Sequence, residues 1–96
     1  MRVLGREKIL TFIKKHPDAA SSLRAWIQNM ECNHFKHIHE LKHTFRSADS
    51  VRPYTVFNIS GNKYRLIVSI NYDSKTVFVR FVGTHQEYDK IDAEVI

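Results

Sequence analysis

The sequence predicts a single α+β domain, with helices from its first half lying on one face of an antiparallel sheet built by its second half. Three observations point there. Apolar residues recur every three or four positions as far as Phe45, and they recur at alternate positions from Tyr54 onward. Between the two regimes lies "RSADSVRP", a loop by composition. With 96 residues, 43% hydrophobic and 26% charged, the chain has the size and balance of one globular domain around one core, residues 1–96.

The elements follow in order. Met1-Arg2-Val3-Leu4 alternates apolar and polar and meets Gly5, which marks a brief first strand. In "REKILTFIKKHP", Ile9, Leu10, Phe12 and Ile13 share one helical face with Arg6, Lys8, Lys14 and Lys15 elsewhere, and Pro17 stops the pattern. Asp18 opens a second helix over "AASSLRAWIQNMEC", with Ala19, Leu23, Trp26, Ile27 and Met30 facing inward. Trp26 belongs in the core on this reading, and Cys32 is a small buried hydrophobe. Asn33 to Phe45 is rich in histidine, with Phe35, Ile38, Leu41 and Phe45 spaced for a short third helix. The segments Tyr54–Ile59, Lys63–Tyr72 and Lys75–Val82 are strands of a meander, separated by the turns Ser60-Gly61-Asn62 and Asp73-Ser74. From His85 the tail is polar, a final turn or short helix.

Strand parity sorts the side chains. Tyr64, Leu66, Val68, Ile70 and Tyr72 form one face of their strand, and Lys63, Arg65, Ile67, Ser69 and Asn71 the other. In the next strand Val77, Val79 and Phe81 form the apolar set, which leaves Phe78 and Arg80 opposite. Helices cover one face only, so Lys63, Arg65 and Arg80 should share the bare one.

Fifteen Lys and Arg against ten Asp and Glu give a net charge of +5, a surface that favours polyanions. No apolar run is long enough to cross a bilayer, and no basic-then-apolar leader opens the chain. With a single cysteine, the expectation is a cytoplasmic protein with no membrane contact.

His39-Glu40-Leu41-Lys42-His43 matches H-E-x-x-H, the spacing by which two histidines one helical turn apart hold zinc beside a glutamate base. Its surroundings argue against a metalloprotease. The local cluster of His34, His37, His39 and His43 makes a chance match easy, and Lys42 sits where a helix buried beneath a cleft needs an uncharged residue. A third ligand could come only from His85, Glu87 or Asp89, at no recognised spacing. The expectation is a solvated histidine-rich helix, with no metal and no cofactor.

The run "YTVFNISGNKYRLIVSINYDSKTVFVRFVGTHQEYDK", with N-x-x-G-N-x-Y-R-L-I on a strand and T-H-x-E-Y-D-K after the last one, resembles the HigB-type toxins of bacterial toxin–antitoxin pairs, within the RelE/ParE-like group. The resemblance extends more loosely through "LKHTFRSADSV" and the early helices. It implies a RelE-like β-α-α-β-β-β fold and an endoribonuclease that cleaves messenger RNA, in many relatives at the ribosomal A site. It also implies silencing by a HigA-type helix-turn-helix antitoxin, through which any contact with DNA would be indirect.

RNA cleavage without a metal needs a base for the ribose 2′-hydroxyl, cations for the charge on the phosphorane, and an acid for the departing 5′-oxygen. By motif position His85 is the proton carrier, since an imidazole exchanges protons near neutral pH, with its role as acid or base open. Tyr88, three residues on, can orient the attacking hydroxyl or stack on a base. Arg65 is the choice for the scissile phosphate, because its planar fork grips two oxygens. Lys63, Arg80 and Lys90 are expected to hold flanking phosphates, with Asn62 shaping the pocket. The rivals are a non-catalytic nucleic-acid or protein-binding module using the same basic face, and a gyrase poison of the same superfamily lacking the histidine–tyrosine pair.

Overall fold

The computed structural model describes residues 1–91. Strand β1 (Arg2–Leu4) leads into helix α1 (Arg6–Lys15), a single 3-10 turn (Pro17–Ala19) and helix α2 (Ala20–Cys32). A short helix α3 (Ile38–Thr44) precedes strands β2 (Asp49–Val51), β3 (Tyr54–Ile59), β4 (Tyr64–Asn71) and β5 (Thr76–Thr84), and one turn of helix, α4 (His85–Asp89), follows directly. The sheet order is β1-β5-β4-β3-β2. The β3-β4-β5 meander is antiparallel as expected, and two features were not. The first strand joins the sheet parallel to β5, pairing Val3 with Val77, and the loop-like stretch supplies a fifth strand that pairs Ser50 with Thr55. Asp49 and Ser50 carry no intrinsic strand preference, so β2 exists because β3 offers a free edge.

The core lies between the helices and one sheet face. Ile9 and Phe12 of α1 and Leu23, Trp26 and Met30 of α2 pack with Leu41, Phe57, Leu66, Val68 and Val77, all buried. The Trp26 ring meets Phe57 edge-on at 5.5 Å, as its place in the helical stripe requires. Cys32 departs from the expectation. As the last residue of α2 it falls off the apolar stripe and is exposed.

A bulge in β5 changes the parity read from sequence. Ile67 pairs with Phe81 but Val68 with Val79, so Arg80 is the extra residue. Beyond it the faces exchange. Val82 packs toward the core, and Phe81, expected there, turns to the face away from the helices. That face is not simply bare either, since Arg65, Val56 and Ile67 are all buried on it.

Gly5 joins β1 to α1 in a left-handed conformation, φ 83°, and a Cβ there would stand 3.1 Å from the Val79 carbonyl oxygen on β5. Gly5→Ala should therefore cost about 1–2 kcal/mol of stability, read as a lower urea midpoint at unchanged slope. A midpoint equal to wild type would show that this junction is not strained.

Candidate active site

One end of the sheet gathers several of the residues that the sequence singles out. Arg65 lies near the start of β4, directly opposite Asn58 of β3 and Gly83 of β5. Its guanidinium donates from Nη1 to the carbonyls of Asn62 (3.3 Å) and Tyr64 (3.2 Å) and from Nη2 to Asn62 Oδ1 (3.4 Å). Asn62 Oδ1 also accepts from Asn58 Nδ2 at 3.4 Å. The arginine is only 8% exposed, and no carboxylate within the described residues is paired with it in these bonds. A buried cation held by neutral carbonyls keeps its positive charge for an incoming anion.

Tyr88 of α4 stands beside it, with the guanidinium carbon 5.8 Å from the ring centroid. The position of α4 is fixed locally. The His85 amide continues the strand ladder by donating to the Lys63 carbonyl (3.0 Å). Thr84 caps the turn: its hydroxyl accepts from the Glu87 amide (3.1 Å) and its amide donates to Glu87 Oε1 (2.9 Å). On a helix, residues three and four apart share a side, so His85, Tyr88 and Asp89 form one group. His85 Nδ1 lies 3.0 Å from Asp89 Oδ2, so Nε2 is the ring nitrogen turned away from that carboxylate.

The remaining expected residues spread out. Lys63 turns toward the helix side, where its ammonium lies 3.5 Å from Asp18 Oδ2 with both side chains largely exposed. That carboxylate accepts from the Tyr64 hydroxyl at 2.7 Å, which holds Asp18 below its ordinary value and pushes the Tyr64 phenol up. Arg80 lies at the bulge, its Nε donating to Ser69 Oγ (2.9 Å), well along the sheet from Arg65. Lys90 is exposed just past α4, its amide donating to the Glu87 carbonyl.

His39, Glu40 and His43 do lie on a helix, α3, with both histidines exposed. Glu40 Oε1 reaches back to the Lys36 amide (2.9 Å), and among the described residues no three His, Cys, Asp or Glu side chains gather as a metal-holding group.

Residues 19–91 match the family model for HigB toxin, the RelE-like toxic component of a toxin–antitoxin system. The chain belongs to the HigB-toxin family. This HigB-type chain is 28% identical over 92 residues to the mRNA interferase toxin HigB of Escherichia coli K12, covering 93% of its own length and 88% of the relative's. The mRNA interferase HigB of Shigella flexneri matches to the same extent. That of Escherichia coli O6:H1 is 26% identical over 94 residues, 95% and 91% of the two chains. Membership brings with it an antitoxin partner, and no helix of the described residues is long and apolar enough to cross a membrane.

Reading the HigB-type sequence alone missed three supports of the site. Asn58 braces Asn62 only through strand register, which no local pattern reveals. By sequence Asp89 counts as a possible third metal ligand, and in the structure it pairs with His85. The Thr84–Glu87 box was legible as T-x-x-E before a short helix.

The box also predicts a pH effect. The Thr84 backbone amide donates to Glu87 and holds its carboxyl below the ordinary value of 4.5. A depressed carboxyl stabilises fully above its unfolded pKa and stops doing so as pH falls through the folded one. Glu87→Gln keeps the reach-back bond and removes the charge. Its melting temperature should fall below wild type at neutral pH, and the gap should close below about pH 4. A gap that persists in acid would locate the effect elsewhere.

Proposed function

We propose that this toxin is a metal-independent endoribonuclease that cleaves messenger RNA in the cytoplasm, on ribosomes, and is silenced by a helix-turn-helix antitoxin. The observation that carries the reading is the placement of the Arg65 guanidinium beside Tyr88, on the helix turn that pairs His85 with Asp89. The names of the relatives, mRNA interferases, support the same reaction and substrate.

In this reading Arg65 binds the scissile phosphate and offsets the charge gained as the 2′-oxygen attacks phosphorus. The 2′-hydroxyl proton passes to a base, the P–O5′ bond breaks, and the 5′-oxygen takes a proton. The products are a 2′,3′-cyclic phosphate and a free 5′-hydroxyl. His85 Nε2 performs one of the two proton transfers, with Asp89 fixing the imidazole through Nδ1. The Tyr88 hydroxyl or ring positions the ribose or base. Asn62 orients Arg65, and Lys63, Arg80 and Lys90 attract the flanking backbone at longer range.

The test is to strip the purified chain of metal with chelator, remove the chelator, add the chain to programmed ribosomes in magnesium buffer and determine the RNA ends formed. Cyclic phosphate and 5′-hydroxyl ends are expected. No cleavage, or 3′-hydroxyl and 5′-phosphate ends, would refute the mechanism.

A further inference from the structure

A second pairing of cation and ring occupies the face of the sheet that carries Arg65, and the cleavage reading gives its ring no part and its cation only a long-range pull. Phe78 is 45% exposed, and the Arg80 guanidinium lies 5.4 Å from its ring centroid. The bond from Arg80 Nε to Ser69 fixes the guanidinium, while the Lys8 ammonium binds the Arg80 carbonyl at 3.1 Å and adds a second cation at the same edge. Phe78 stands opposite Ser69, four residues along β4 from Arg65 and thus about 13 Å away. Between them Phe81 stands opposite Ile67, and its ring reaches across Gly83, where a Cβ would come within 2.5 Å of Phe81 Cζ. Tyr88, Phe81 and Phe78 thus succeed one another along one side of the sheet, with Arg65 at one end of the row and Arg80 at the other.

From this row we propose that Phe78 and Arg80 form a distal clamp on the substrate strand. Phe78 stacks one RNA base several nucleotides from the bond held at Arg65, and Arg80 binds a neighbouring phosphate. The inference rests on the ribonuclease reading. Rings flanked by cations are what a single strand of RNA requires, because every base has a stacking face and every linkage a negative charge. The bulge is what makes the row possible. Without it, strict alternation would put Phe81 in the core and Val82 on this face, and the row would be broken between Tyr88 and Phe78.

The test uses a trinucleotide and a nonamer of RNA, 2′-O-methylated throughout to block cleavage, titrated by fluorescence anisotropy into wild type, Phe78→Ala, Phe78→Leu and Phe78→Tyr. Wild type should bind the nonamer more tightly than the trinucleotide. Phe78→Ala should weaken the nonamer by about 5- to 100-fold and leave the trinucleotide unchanged, with Tyr restoring binding and Leu failing to. An abasic residue moved through the nonamer should cost wild type affinity at one position and cost Phe78→Ala nothing. A wild type that binds neither oligonucleotide, or gains nothing from length, overturns the clamp, as does an alanine effect equal on both. Weaker capture of the antitoxin by Phe78→Ala with unchanged nonamer binding assigns the ring to a protein contact and also overturns it. Failure of the ribonuclease reading is seen separately, as absence of cyclic-phosphate ends from wild type.

Discussion

Arg65→Lys is expected to lower RNA cleavage by at least about a hundredfold while the protein still folds and still captures its antitoxin. Lysine keeps the charge and loses the planar fork that meets Asn62 and Tyr64 on one side and leaves donors for a phosphate on the other. Its ammonium would also have to be desolvated where Arg65 is only 8% exposed, without the same set of carbonyl partners. Growth arrest in cells, cyclic-phosphate yield in vitro and a far-ultraviolet spectrum separate loss of chemistry from loss of fold. Cleavage within tenfold of wild type would take the guanidinium out of the reaction.

The second large effect is expected at His85. His85→Gln should reduce turnover by about 10²–10⁴-fold with little change in KM, since it removes a proton carrier and leaves the phosphate cations in place. Asp89→Asn should cost less, because its carboxylate acts through the imidazole at 3.0 Å rather than on the RNA. Should His85→Gln remain active while Tyr88→Phe is dead, proton transfer belongs to the phenol.

Much of this architecture was legible because two periods, 3.6 and 2, meet at one loop. The helical stripes of Ile9 and Phe12 and of Leu23, Trp26 and Met30, and the alternation of Tyr64, Leu66 and Val68, name the core directly. What escaped depends on pairing across distance. β2 is strand only because β3 accepts it, and β1 gives no sign that its neighbour is β5. The bulge at Arg80 is invisible to strict alternation, so Phe81 was placed on the wrong face. For the site, motif spacing named Arg65, His85 and Tyr88, which the fold brings to one end of the sheet. It could not anticipate that Lys63 leans toward Asp18 or that Arg80 stands apart with Phe78.

The parallel pairing of β1 with β5 bears on how a poison of this kind is made. Arg2 waits for Thr76, and the Lys8 ammonium for the Arg80 carbonyl, so an early segment closes against one synthesised much later. Contacts so remote along the chain slow folding and cannot form on a nascent polypeptide until β5 has emerged. Arg65, His85 and Tyr88 also come from the last third of the sequence, so fragments released early by a stalled ribosome should be harmless to the cell that makes them.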